Sequence, residues 1–237
     1  MKASLPVFFS ASAFSIALLF LDTAVPAWGQ SDEDRKGIFA LWDSKWDEAI
    51  RIYTDAIKNN PHRIDFFLRR AKALTGKRKY EKAIDDCNEA LRLSGTEVGG
   101  HFFLWWVYFE RADAYKGKGD YRNAISDYKS AIRTGEDNGP AFNGLAWLYA
   151  TCPDKTYRDG QLAVGYATEA HTLATNQRCP NCYLETLAAA YAQNGDYKQA
   201  VTWQKKALSQ AGKASSLEVM RQRLKLYEDG KPYHEKE

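Results

Sequence analysis

Five alanines divide this chain of 237 residues. Ala49, Ala83, Ala124, Ala163 and Ala200 stand 34, 41, 39 and 37 residues apart, which is one 34-residue period lengthened by seven, five and three. Seven residues after each comes another alanine: Ala56, Ala90, Ala131, Ala170 and Ala207. Four residues after each stand Tyr53, Cys87, Tyr128, Ala167 and Gln204. Three before sit Trp46, Tyr80, Tyr121 and Tyr197, with no aromatic in the fourth copy, and twelve before sit Gly37, Ala71, Ala112 and Ala188. Agreement at this many offsets marks an internal repeat. The clearest copy is Thr186 to Ala207. It reads as two short amphipathic helices, with Leu187, Ala188 and Tyr191 on one face of the first and Ala200, Val201, Gln204 and Ala207 at helical spacing in the second. Asn194-Gly195-Asp196 breaks the pattern, and Gly195 supplies the left-handed backbone that ends a helix. Small residues let the two helices approach closely, and a hairpin this short needs neighbours to cover its apolar side.

The period and the placing of small and aromatic residues resemble the tetratricopeptide repeat (TPR) family over residues 31–212. The run LAWLYATCPD followed by LETLAAAYAQNGDYKQAV resembles the C-terminal repeats of bacterial multi-TPR proteins. The resemblance implies an all-α, right-handed superhelical solenoid of about five helix-turn-helix repeats, near 31–62, 64–96, 102–138, 139–178 and 181–212. Repeat four departs most, because CPDKTYRDG swells its turn. Residues 213–237 read as a capping helix and tail, with Leu217, Met220, Leu224 and Tyr227 on the apolar face.

The N-terminus is of another kind. Lys2 precedes an apolar run from Val7 to Leu21, and the stretch Asp22 to Gln30 that follows carries small residues at the cleavage positions Val25, Ala27 and Gly29. This pattern predicts a secretory signal peptide over 1–27, with cleavage after Ala27 or Gly29. The alternative is an uncleaved anchor. The apolar core is about fifteen residues, short of the roughly 20 that spanning requires. The expected location is therefore secreted or periplasmic.

Residues 102–109, FFLWWVYF, are all apolar or aromatic, more than one buried helix face requires. Either the helix is sunk between flanking repeats, or part of Phe102–Phe109 is exposed and self-associates.

Catalytic chemistry finds little support. His62, His101, His171 and His234 pair in sequence with no nucleophile and form no HExxH. No Gly-rich phosphate loop is present, and no cofactor or metal is expected. A net charge of +3 gives no electrostatic case for nucleic acid. Cys179 and Cys182 form a CxxC just before a helix, where a thiolate is stabilised. The βαβ setting of redox CxxC sites is absent. Residues Cys179, Cys182 and Cys152 are read first as candidates for a structural disulfide, and the alternative is an envelope redox or enzyme-accessory role. Cys87 falls on a core position.

The TPR resemblance implies binding of a protein or peptide in a groove lined by the first helix of each repeat. By position the candidates are Arg69 and Lys72, then Phe109, Glu110 and Asp113, then Asn143 and Trp147, and finally Glu185 and Thr186. Arg and Asn could hold a backbone or carboxylate, and Phe109 and Trp147 an apolar anchor. Glu110 and Asp113 in mid-surface argue against the family's carboxylate clamp. The expected function is a non-catalytic, protein-binding scaffold.

Overall fold

The structure, a computed structural model, describes residues 32–135, 138–176, 183–211 and 217–236. Among these, all regular structure is helical. The eleven α-helices are α1 (Asp32–Trp42), α2 (Trp46–Asn59), α3 (Ile64–Gly76), α4 (Tyr80–Ser94), α5 (Leu104–Lys118), α6 (Tyr121–Thr134), α7 (Gly139–Thr151), α8 (Gly160–Asn176), α9 (Leu184–Gln193), α10 (Tyr197–Gln210) and α11 (Leu217–Glu228). Short 3-10 turns at Gly100–Phe103 and Lys155–Tyr157 complete the set. The expected all-helical repeat architecture is what the chain adopts. The described residues form two compact units: one ends at Leu145 and the other begins at Ala146, inside α7.

One turn geometry closes four of the hairpins. Ser44, Arg78, Gly119 and Gly195, each five residues before a reference alanine, all have positive φ (55°, 59°, 87° and 84°). The next residue in each case, Lys45, Lys79, Asp120 or Asp196, donates its amide to the carbonyl five residues back, at 2.8–2.9 Å. This six-to-one bond is the Schellman ending, which satisfies carbonyls left over by the first helix. Asp120 and Asp196 also cap the following helix, accepting from the amides of Asn123 and Gln199. Lys45 and Lys79 supply no side-chain cap.

The repeat alanines sit where helices meet. Ala49, Ala83, Ala124, Ala163 and Ala200 are fully buried, as are Tyr53, Cys87, Tyr128, Ala167 and Gln204 four residues on. In the unit ending at Leu145, the aromatic three residues before the alanine fills space under the next repeat. A Cβ on Gly76 would lie 2.7 Å from the Trp46 ring, closer than real Cβ contacts, so only glycine fits. Gly117 meets the Tyr80 ring in the same way. The aromatic run is mostly sunk. Trp106 and Val107 are buried and the residues beside them are partly covered, while Phe102 stays exposed. The reason is that the 3-10 turn 100–103 and the enlarged loop before it let α5 pack against both α3 and α4.

In the unit beginning at Ala146, α9 and α10 form the hairpin and α11 packs on α10. Met220 joins Leu184 and Ala207, and Tyr227 joins Ala188, Ala192 and Ala200. Gln204, fully buried, donates to the Met220 carbonyl at 3.0 Å, so the second apolar edge of the hairpin is closed by α11.

Candidate functional site

Within the unit ending at Leu145, the first helices carry charge that is largely spent on the fold itself. Arg69 is 2% exposed. Its guanidinium donates to Asp34 at 2.8 Å and lies 3.9 Å from Asp65. Asp65 is held in turn by a two-pronged contact from Arg63, both at 2.8 Å. Burial pushes the Asp34 carboxyl above its ordinary range, against the pull of Arg69. Lys72 reaches Glu110 at 3.4 Å, and the Trp106 indole N–H donates to the same carboxylate at 3.0 Å. Glu110 is buried, and desolvation raises its pKa while Lys72 opposes the rise. Asp113 accepts from the Tyr128 hydroxyl and lies 3.9 Å from Lys116. Arg69, Glu110 and Lys72 thus link neighbouring first helices. The position-based expectation that Arg69 and Glu110 line an open groove is corrected here: both are interior groups.

Two further ion pairs repeat at one offset. Arg70 grips Asp86 with two bonds of 2.8 and 2.7 Å, and Arg111 grips Asp127 with two of 2.6 and 3.0 Å. Each joins the first helix of a repeat to its second, which fixes the hairpin's register by bidentate geometry. Phe109 is half-buried, its ring 6.2 Å from that of Tyr128. Asn143 is half-buried, and its side-chain oxygen has no hydrogen-bond partner among the described residues.

The remaining candidates meet in the unit beginning at Ala146, around a feature with no signal in the sequence. Helix α11 ends in the same left-handed turn as the hairpins: Gly230 has φ 68°, and Lys231 donates to the Leu226 carbonyl at 2.9 Å. Residues 231–236 then run without regular structure back over α7 and α9. The Glu235 amide donates to the Thr151 carbonyl at 2.8 Å, and the Trp147 indole N–H donates to the Glu235 carboxylate at 2.8 Å. His234 and the Gln193 side chain are 2.8 Å apart. Tyr233 lies beside Trp147, and the Arg223 guanidinium carbon stands 4.6 Å from the Tyr233 ring centre and 4.9 Å from that of Trp147. Arg223 is aimed by Glu185, at 2.6 Å. Burial raises the Glu185 carboxyl, against the pull of Arg223. Thr186 is buried in the helix beside it. Trp147, expected to await an apolar partner, is engaged by the chain's own residues 231–236.

Cys87 and Cys152 are free, buried thiols. Burial drives both upward, Cys152 to about 11. Cys179 and Cys182 lie outside the described residues, as does the expected signal segment. Among the described residues, no helix is long and apolar enough to cross a membrane, and no group of three His, Cys, Asp or Glu could hold a metal.

Hairpins of this period, turn and alanine register define a repeat protein of the tetratricopeptide class. Family models described as tetratricopeptide repeat match residues 41–97, 107–134 and 183–213. The chain belongs to the tetratricopeptide repeat proteins. It is 37% identical over 65 residues to tetratricopeptide repeat protein 36 of Caenorhabditis elegans. That match takes in 27% of this chain and 36% of the relative, so the chain spans about a third of that relative's length. Among solved structures, a thermophilic TPR protein of Thermus thermophilus is similar with a TM-score of 0.61 and 21% identity, over 84% of this chain and 97% of that one. The crystal structure of MamA is similar with a TM-score of 0.53 and 18% identity, over 76% and 95%. The C-terminal part of a TPR protein from Cytophaga hutchinsonii gives 0.53 and 17%, over 82% and 71%. At these identities the structural likeness concerns the fold.

Proposed function

We propose that this chain is a non-catalytic, protein-binding scaffold that works outside the cytoplasm, in the cell envelope or secreted. Repeat proteins of this class present extended surfaces to other proteins, and function lies in those surfaces rather than in the fold. The observation that carries the reading is how the ionisable groups are used. Arg69, Lys72, Arg70, Arg111, Glu110 and Asp34 are engaged in ion pairs across helices, which rigidifies a binding platform. Exposed apolar side chains supply contact points: Phe39 and Trp42 on α1 are 58% and 46% exposed, with rings 5.2 Å apart. Aromatic anchors of this kind dominate protein interfaces. Export rests on the pattern of residues 1–27 and on nothing further along the chain.

The test has two arms. Residues 1–31 fused to a reporter active only outside the cytoplasm should give signal, and a Leu18→Arg, Leu19→Arg variant should abolish it. The purified mature chain, chemically cross-linked in an envelope extract, should capture a defined protein that re-binds it stoichiometrically when purified. Loss of that binding in a Phe39→Ser, Trp42→Ser variant is expected. A chain that retains nothing above an unrelated helical repeat control refutes the scaffold reading.

A further inference from the structure

We propose that the face built by α7, α9 and α11 is a recognition site for a partner protein's segment in which an aromatic residue stands two before a carboxylate, and that residues 231–236 occupy it in cis. This deepens the scaffold reading and rests on it. Each contact to the tail has the form of peptide recognition. A main-chain amide, that of Glu235, bonds a main-chain carbonyl, that of Thr151. A carboxylate meets a single positioned donor, the Trp147 indole. An aromatic ring, that of Tyr233, rests against the guanidinium of Arg223, which also lies against Trp147. Such contacts read a pattern of Tyr, any residue, Glu.

Part of the receiving surface is organised by pairing that does not involve the tail. Glu185 fixes the Arg223 guanidinium at 2.6 Å, a contact within the helices themselves. Arg223 Nε is buried with no hydrogen-bond partner among the described residues, a donor left over by the internal pairing. Thr151 ends α7, where carbonyls lack helical partners. The enlarged turn 152–159 closes through Asp159 and the Tyr149 carbonyl, so the Thr151 carbonyl is left to accept from the Glu235 amide. On the proposal, the site belongs to the three helices and the tail is its guest.

The guest is held by few contacts. It leaves α11 through Gly230, which has positive φ, and Tyr233, His234 and Glu235 are each only partly covered. A few directional contacts oppose the ordering entropy of several residues. A tethered segment competes at the high effective concentration its short linker imposes, so a partner segment binds when it outcompetes or when the tail is withdrawn.

The experiment uses the full-length mature chain and a fluorescein-labelled peptide of residues 230–236 as the probe, read by anisotropy. Three proteins are compared: wild type, Tyr233→Ala with Glu235→Gln, and that double variant carrying Trp147→Phe, which deletes the indole donor. The double variant should bind the peptide at least tenfold more tightly than wild type, and Trp147→Phe should reverse the gain. Equal binding by wild type and double variant overturns the proposal, and so does absence of binding by both. Loss of the cooperative thermal transition in the double variant would make the tail an integral part of the fold and overturn it too. A wild-type dimer that dissociates in the double variant would mean tails exchanged between copies rather than a partner segment, and would also overturn it. Failure here with a captured envelope partner leaves the scaffold reading intact. Peptide binding with no captured partner would remove that reading and keep the site.

Discussion

Lys79→Asp should stabilise the chain. Four hairpins share one turn, yet only two carry a side-chain cap on the second helix. Lys79 has φ −94° and ψ 61°, close to Asp120 at −85° and 71° and Asp196 at −87° and 75°. An aspartate at that backbone geometry reaches the amide three residues on, as Asp120 does at 3.2 Å and Asp196 at 3.0 Å. In repeat two that amide belongs to Lys82. A new N-cap contributes about 1 kcal/mol. Exchanging a cation for an anion at the helix N-terminus adds about 0.3–1 kcal/mol, and repulsion from Glu81 offsets part of it. A net gain of about 1–1.5 kcal/mol raises the melting temperature by roughly 2–5 °C for a chain of this size. Circular dichroism at 222 nm reads the transition, and slower amide exchange in the first turn of α4 localises it. Lys79→Ala is the control, since it removes the cation and supplies no acceptor. If the aspartate variant melts no higher than the alanine variant, the turns are not equivalent and the capping argument fails.

Other expectations concern the interior. Arg69→Met strands Asp34 in a buried site and should cost about 3–5 kcal/mol, while Asp34→Leu together with Arg69→Met should recover most of it; urea midpoints of the two variants decide. Glu110 has a folded pKa above its unfolded one, so the folded state binds the extra proton and this group's contribution is complete below the unfolded value near 4.5 and lost as pH rises through the folded value. Glu110→Gln should therefore flatten the stability profile on the acid side of neutrality, with the difference from wild type largest at neutral pH. Cys152, raised to about 11 by burial, should resist alkylation at pH 8 in the native chain and react at the rate of unfolding; rapid native labelling would contradict its buried placement.

The repeat architecture was legible because a single physical demand recurs. Wherever two helices cross closely, only alanine or glycine fits, and the register of Ala49, Ala83, Ala124, Ala163 and Ala200 exposed that demand. The candidate site was much less legible. Position within a repeat said that Arg69 belongs to a first helix; it did not say that Asp34, one repeat earlier, would claim it. That pairing did leave a trace, since Asp34 and Arg69 stand 35 residues apart, within one residue of the period. Opposite charges offset by about one repeat could have been read as internal. The tail had no such trace. KPYHEK has neither a helical nor a strand period, and its contact from Glu235 to Trp147 spans 88 residues.

The swollen turn of repeat four now has a use. In the other four hairpins the chain reverses so tightly that the last carbonyls of the first helix are consumed at once. Eight residues at 152–159 delay that closure and leave the Thr151 carbonyl to the Glu235 amide. Excising the surplus to match the other hairpins should remove the 3-10 turn, withdraw the Thr151 carbonyl and dislodge residues 231–236, with the α-helices kept, which circular dichroism at 222 nm would read. An irregularity in a repeat array here supplies a main-chain contact that the regular hairpins lack.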